Sequence, residues 1–355
     1  LSICEYLGFD LPRRGEGVEK RVAEGCGLAN EAAGKRRQAI LDLALKRWGT
    51  FAFFIVLNIF FSLANPYYFQ LSNFSSIIYE ASVATVISIG LTIVVIVGSF
   101  DLSVGALTSF GGMLTALLMP KVGSILACLI SLVLTSLFGL VNGVLVGIIG
   151  ISGIIVTLAM QFICTGIEIG ITGGYEIAIP IQFNNFLAFG SGSVGGIKIM
   201  VFVLVALGII GSLFMTKTIY GVRISATGDN ALAAIYTGMK IKRIVILAFI
   251  LSAAFSAMAG IMVVGMNASH QPVVGKGYLL DAFAIVYLGS TILKEGKPHI
   301  LGTVIAGIML SSLITGMMMM GIRYEWQMFT KGAILIGAVA VSALLRREEI
   351  HTQFI

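Results

Sequence analysis

Charge is scarce in this chain: of 355 residues only 11% are Asp, Glu, Lys or Arg, while 57% are hydrophobic. With a mean hydropathy of +1.00, a water-soluble enzyme or binding module is excluded, because so few charges do not solvate the surface of a soluble domain this large. Cysteine is sparse as well. Cys4 and Cys26 sit in a polar N-terminal stretch and Cys128 and Cys164 in apolar runs, with no paired spacing; a disulfide framework and a zinc site are both excluded. The apolar runs do not alternate with polar residues as barrel strands do. There is no G-x-x-x-x-G-K-[ST] loop to cradle a nucleotide phosphate. The sequence implies no metal and no cofactor.

What is present is a series of long apolar runs such as "FAFFIVLNIFFSLA" and "IVILAFILSAAFSAMAGIMVVGM". They predict an all-α integral membrane protein, a polytopic helical bundle of about ten transmembrane helices. The spans fall near 50–65, 81–98, 103–119, 124–149, 152–172, 198–216, 244–266, 280–293, 299–320 and 327–345. The segment 280–293 is short for a full crossing, and is expected to be tilted, re-entrant or shielded by its neighbours.

Residues 1–47 are polar, carry both charge signs and include the Gly-rich run "RRGEGVEKRVAEGCG"; they predict a partly disordered cytoplasmic segment. The chain starts at Leu1, which leaves a translated upstream region, an alternative start and a fragment all open. The formal charge of +6 does not indicate nucleic acid, since the basic residues border apolar spans instead of sharing one soluble face. They indicate orientation. Lys35, Arg36, Arg37, Lys46 and Arg47 precede the first span; Lys217, Arg223, Lys240, Lys242 and Arg243 lie between the sixth and seventh; Lys294, Lys297, Arg346 and Arg347 follow. Lys121, Lys198, Lys276, Arg323 and Lys331 fall on the other side. The positive-inside rule then places both termini in the cytoplasm. The transmembrane domain covers 48–345, with a cytoplasmic loop at 217–243 and a cytoplasmic tail at 346–355.

Small residues recur at helical spacing in Gly139, Gly143 and Gly147, in Gly166, Gly170 and Gly174, and in Ser252, Ser256 and Gly260. Such strips predict close helix packing inside the bundle. Tyr67, Tyr68, Phe69 and Trp326 are expected in the interfacial belts. The stretch "GSFDLSVGA" sets Asp101 between two apolar runs, and a membrane carboxylate is a functional hypothesis. Two roles are open to it: capping the free N–H groups of Ser103 and Val104, or taking part in gating. Asn142, Gln161, Glu168 and Asn267 are the other polar residues in or near spans. Packing or interhelical hydrogen bonds suit each of them; Gln161 and Asn267 are also candidates for weak hydrogen-bonding groups along a solute path, should the chain form one.

In the 217–243 loop, Asp229 or Asn230 predicts the cap of a short helix ended by Gly238. Ala231, Ala233 and Ala234 give that helix a low profile, which suits a groove on another protein and equally a solvated connector.

The motifs "DLSVGA" at 101–106, "GLVNGVLVG" at 139–147, "IVTLAM" at 155–160, "GDNALAAIYTGM" at 228–239, "GYLLDAFAIVYLGSTI" at 277–292 and "WQMFTKGAILIGAVAV" at 326–341 follow one another in family order. Through them the chain resembles the permease subunits of ribose-type ABC importers, a family that includes monosaccharide and autoinducer-2 permeases. The resemblance covers residues 50 to 345. It marks Asp101, Gly105, Asn142, Gly143 and Asp281 as motif positions. It implies a permease dimer, cytoplasmic ATPase subunits, an extracytoplasmic solute-binding protein and location in the cell inner (plasma) membrane. It also implies that Asn230, Ala233, Ala234 and Gly238 belong to a coupling helix that docks on the ATPase. The chain departs from the family pattern at Leu280 before Asp281, in "LGSTILKEGKP", and at Thr165, where the family's Arg is expected, with Glu168 added nearby.

The expected function is the membrane path for a small polar solute, a monosaccharide such as ribose, with ATP hydrolysed by another subunit. The alternatives are an autoinducer-2-like or nucleoside solute, or an ion-coupled secondary transporter with a midplane carboxylate site, for which Glu168 is a solitary candidate. A receptor would need a sizeable signalling domain, which these residues do not form.

Overall fold

The computed structural model of the chain describes residues 51–352, apart from residue 53 and residues 293–295, with side chains as far as residue 343. The polar segment 1–47 lies outside the described residues, with Cys4 and Cys26; so do Lys294 and residues 353–355.

The helices follow in chain order as α1 (Phe54–Ala64), α2 (Leu71–Ile96), α3 (Val104–Val122), α4 (Ser124–Val144), which runs on through a π-turn at Leu145–Ile149, and α5 (Gly153–Thr172). The strand β1 (Ile177–Ala178) and the helix α6 (Asn184–Ser191) follow, then a hairpin of β2 (Ser193–Val194) and β3 (Ile197–Lys198). Next come α7 (Ile199–Lys217), α8 (Ile219–Asp229), α9 (Ala231–Tyr236), α10 (Ile241–Asn267), β4 (Ser269–His270), α11 (Lys276–Ser290), α12 (Ile300–Met319) and α13 (Tyr324–Thr352). Among the described residues 7 helices are long and apolar enough to cross a membrane: α2, α4 with its π-turn, α5, α7, α10, α12 and α13 as far as Ala343. The expected spans near 50–65, 103–119 and 280–293 fold as α1, α3 and α11, which are not among those 7. This is an all-α membrane fold. Helices suit lipid because they satisfy every backbone polar group internally.

At the centre α10 packs against α2, α3 and α4. Every residue of α2 from Ala81 to Val95 is buried, as expected of a helix that is apolar on all sides and enclosed by others. Closeness to α10 depends on the glycine strip of α4. A Cβ on Gly143 would lie 2.7 Å from the Ile246 Cα, and one on Gly147 2.9 Å from the Lys242 carbonyl oxygen. On α10 itself, Gly260 presses against Thr108 and Gly112 of α3. The strip of Gly166 and Gly170 behaves differently from expectation: a Cβ there would meet nothing within 4 Å, so this face of α5 turns away from its own bundle. A single glycine, Gly123 with φ +85°, reverses the chain between α3 and α4, a conformation that costs a residue with a Cβ.

The loops gather on two faces. On one, Gly153 meets Ser99 and Phe100, Gly228 meets the Ile96 carbonyl, and Lys297 lies 3.5 Å from Asp229. On the other, Asn65 donates to the Met319 carbonyl at 3.3 Å, Tyr79 donates to the Gly190 carbonyl, and β1 pairs with β4. One aromatic expectation is corrected. Tyr67, Phe69 and Trp326 are exposed, but Tyr68 is 3% exposed and its hydroxyl bonds Ser312 Oγ at 2.6 Å and Asn58 Oδ1 at 2.9 Å. Those partners on α1 and α12 draw the ring inward.

Candidate functional site

The connection between α2 and α3 is built on Asp101, which is fully buried. Its Oδ1 accepts from the Ser103 N–H at 3.0 Å and the Ser103 hydroxyl at 2.6 Å, and its Oδ2 accepts from the Ser252 hydroxyl at 2.9 Å. Asn142 Nδ2 donates to Ser103 Oγ at 3.0 Å, and the Leu102 N–H donates to Thr157 Oγ1 at 2.9 Å. One turn is thereby tied to α4, α5 and α10. Hydrogen bonds to a charged group are worth about 1.5–3 kcal/mol each, and a buried carboxylate without them would be strongly unfavourable.

Ser252 also fixes the depth of this turn. It follows the first residue of α10 by eleven positions, about 17 Å along a helix of 27 residues. Therefore α3 begins near the middle of α10 and not at the protein's face. At the same level α11 begins: a Cβ on Gly105 would lie 2.6 Å from the Gly275 carbonyl oxygen. The two helices start back to back and run toward opposite faces. This accounts for the short eighth segment, since 15 residues, about 22 Å of helix, suffice to reach the face where Gly289 packs on Gly302.

Beside this junction Glu168 is fully buried. Its Oε1 accepts from the Ser109 hydroxyl at 2.6 Å, the Val273 N–H at 2.9 Å and His270 Nε2 at 3.0 Å. Glu168 also lines a cavity of about 90 Å³ together with Gly105, Gln161, Thr165 and Lys276. The two candidates for the solute path are thus separated. Gln161 faces this cavity, while Asn267 is an exposed residue at the end of α10. Asp281, on α11, forms an ion pair with Lys331 of α13 at 2.8 Å, and both line a second cavity of about 180 Å³ with Glu80, Tyr278 and Ser311.

The loop between α7 and α10 holds two helices. Thr218 caps α8, accepting from the Gly221 N–H at 3.1 Å, and Asn230 caps α9, accepting from the Ala233 N–H at 2.9 Å. Gly238 turns the chain with φ +78°. The faces of α9 differ from the expected low profile. Ala234 is 3% exposed and turned toward its own chain, whereas Leu232, Ile235 and Tyr236 are 68%, 55% and 89% exposed. Ala233 is exposed. The outward surface is bulky and apolar.

The expected Asp101 cap forms on the Ser103 N–H and is joined by the Ser103 hydroxyl in place of the Val104 N–H; sequence reasoning passed over His270 and Thr157 as partners, and read Ser252 only as a packing residue. The chain has 3 histidines, so one beside a span end was a usable signal. The pairing of residues 101 with 252 and 168 with 270 had none, because it depends on how the helices stack.

Residues 73–339 match the family described as branched-chain amino acid transport system / permease component. The chain is 31% identical over 290 residues to the ribose import permease protein RbsC of Escherichia coli (strain K12), covering 81% of this chain and 90% of that one. It is 29% identical over 306 residues to RbsC of Bacillus subtilis (strain 168), covering 86% and 95%. To the D-allose transport system permease protein AlsC of Escherichia coli (strain K12) it is 30% identical over 305 residues, covering 85% and 93%. No solved structure matches.

Proposed function

Since the chain belongs to this family of transport-system permease components, a multi-pass group of the inner membrane, we propose that it forms the path by which an ATP-binding cassette importer takes up a monosaccharide. The observation that carries the reading is the identity of about 30% to ribose and allose permeases along at least 90% of their length. ATP is hydrolysed by separate subunits, a soluble binding protein delivers solute from outside, and a second permease subunit completes the path. The chain crosses the membrane about ten times, α1, α3 and α11 included, with both termini in the cytoplasm. The face that holds α8 and α9 carries Lys217, Arg223, Lys240, Lys242, Arg243 and Lys297 and is the cytoplasmic one.

On this reading α9 is the coupling element. Tyr236, Leu232 and Ile235 enter the ATPase, a mode that suits an aromatic anchor ringed by apolar contacts. Asn230 and Gly238 set the ends of the helix, and Ala234 seats it on its own chain.

The test is uptake by the assembled transporter in proteoliposomes with ATP inside, binding protein outside and labelled D-ribose or D-allose. ATP-dependent accumulation that survives ionophores is expected. Accumulation that collapses with the ion gradient would indicate a secondary transporter, and uptake of a nucleoside or an autoinducer-2-like compound in place of either sugar would reassign the solute.

A further inference from the structure

Glu168 is satisfied on one side only. Three donors converge on Oε1, while Oε2 is buried and has no hydrogen-bond partner among the described residues. A buried carboxylate oxygen without a donor is costly, and Glu168 lines the cavity at the start of α3 and α11. Ser109, also in its lining, is spent on Oε1, while the side chains of Gln161, Thr165 and Lys276 make no hydrogen bond or ion pair of their own with the described residues. Leu102, Phe162 and Leu279 supply apolar wall.

The chemistry of these groups selects a class of ligand. The lining carries one group of each sign, Glu168, which is bonded to His270, and Lys276, so a free cation meets a like charge from the lysine and a free anion one from the carboxylate. An uncharged ligand meets neither repulsion. Glu168 Oε2 only accepts, Lys276 only donates, and Gln161 and Thr165 do both. A hydroxyl group, donor and acceptor at once, fits every one of them. About 90 Å³ is the volume of roughly three waters, enough for one edge of a sugar ring.

We propose that Glu168, Gln161, Thr165 and Lys276 form a hydroxyl-recognition subsite on the solute path, in which Glu168 Oε2 accepts a hydrogen bond from an uncharged polyhydroxylated solute. This deepens the monosaccharide reading and rests on it. His270, Ser109 and the Val273 N–H are positioning groups that hold Oε1 and leave Oε2 for the solute.

The assembled transporter, freed of its native cysteines and carrying Thr165→Cys, is labelled with a charged methanethiosulfonate reagent. Labelling is compared with no addition, D-ribose, glycerol or propan-1-ol at equal concentration. D-ribose and glycerol should slow labelling several-fold and propan-1-ol should not. Added Glu168→Gln, which keeps the side-chain volume and an oxygen for the three donors on Oε1, should remove the protection in a transporter that still assembles. In parallel, Gln161→Ala, which breaks no hydrogen bond within the chain, should raise the KM for ribose uptake about tenfold, the loss expected of one good hydrogen bond. Protection that persists in Glu168→Gln, protection by all three alcohols alike, or none by either polyol overturns the subsite. If the parent transports neither ribose nor allose but glycerol still protects, the monosaccharide assignment fails and the subsite stands. If Glu168→Gln does not assemble, the Gln161→Ala kinetics decide, and an unchanged KM overturns the proposal.

Discussion

The Asp101 carboxylate accepts the Ser252 hydroxyl at 2.9 Å across 151 residues of sequence, and this bond sets the start of α3 near the midpoint of α10. The same carboxylate organises Ser103, and through it Asn142. Asp101→Asn keeps an oxygen for the two Ser103 donors and offers its amide to Ser252, so folded yield should stay near parental, with a melting temperature only a few degrees lower. Asp101→Leu strands three hydroxyl and amide groups in the interior, at a cost of about 3–5 kcal/mol. Detergent-solubilised yield and thermal unfolding measure both. A well-folded Asn variant that does not transport would show instead that the charge itself takes part in gating.

Gly143 and Gly166 lie in strips of the same pattern and should respond differently. Gly143→Ala forces α4 away from the Ile246 backbone and should destabilise by about 1–3 kcal/mol, the usual cost of overpacking. Gly166→Ala adds a methyl to open space and should leave monomer stability unchanged. Thermal unfolding compares them, and equal effects would mean that the α4 strip does not set the helix spacing.

Ala234 and Tyr236 separate folding from docking. Ala234→Arg buries a charge against the chain itself and should lower folded yield. Tyr236→Ala removes an outward side chain and should leave yield intact while ATPase subunits co-purify at least tenfold less. Normal association of the Tyr236→Ala permease would leave α9 as a solvated connector.

Sidedness follows from the basic residues and is open to direct labelling. In a cysteine-free background, Ser193→Cys should react with an impermeant thiol reagent added outside, and Ala233→Cys only after the membrane is opened. The reverse pattern would invert the topology and remove α9 from the cytoplasm.

Much of this architecture was legible in the amino-acid order. Apolar run length dictated helices, because a backbone in lipid has to satisfy its polar groups within its own segment. The Asn230 cap and the Gly238 turn act over a few residues, so they too could be read locally. Six ordered motifs sufficed for the family. The tertiary structure decided the rest. It turned Ala234 inward and Tyr236 outward, a choice made by the neighbouring helices, since both side chains belong to one short apolar stretch. It explained the short α11, because Gly105 and Gly275 let two helix starts meet inside the protein where a longer side chain would hold them apart. It also joined Glu168 to His270, 102 residues on, and left one carboxylate oxygen over. Such pairings depend on helix register and depth across the bundle, quantities that no local periodicity encodes.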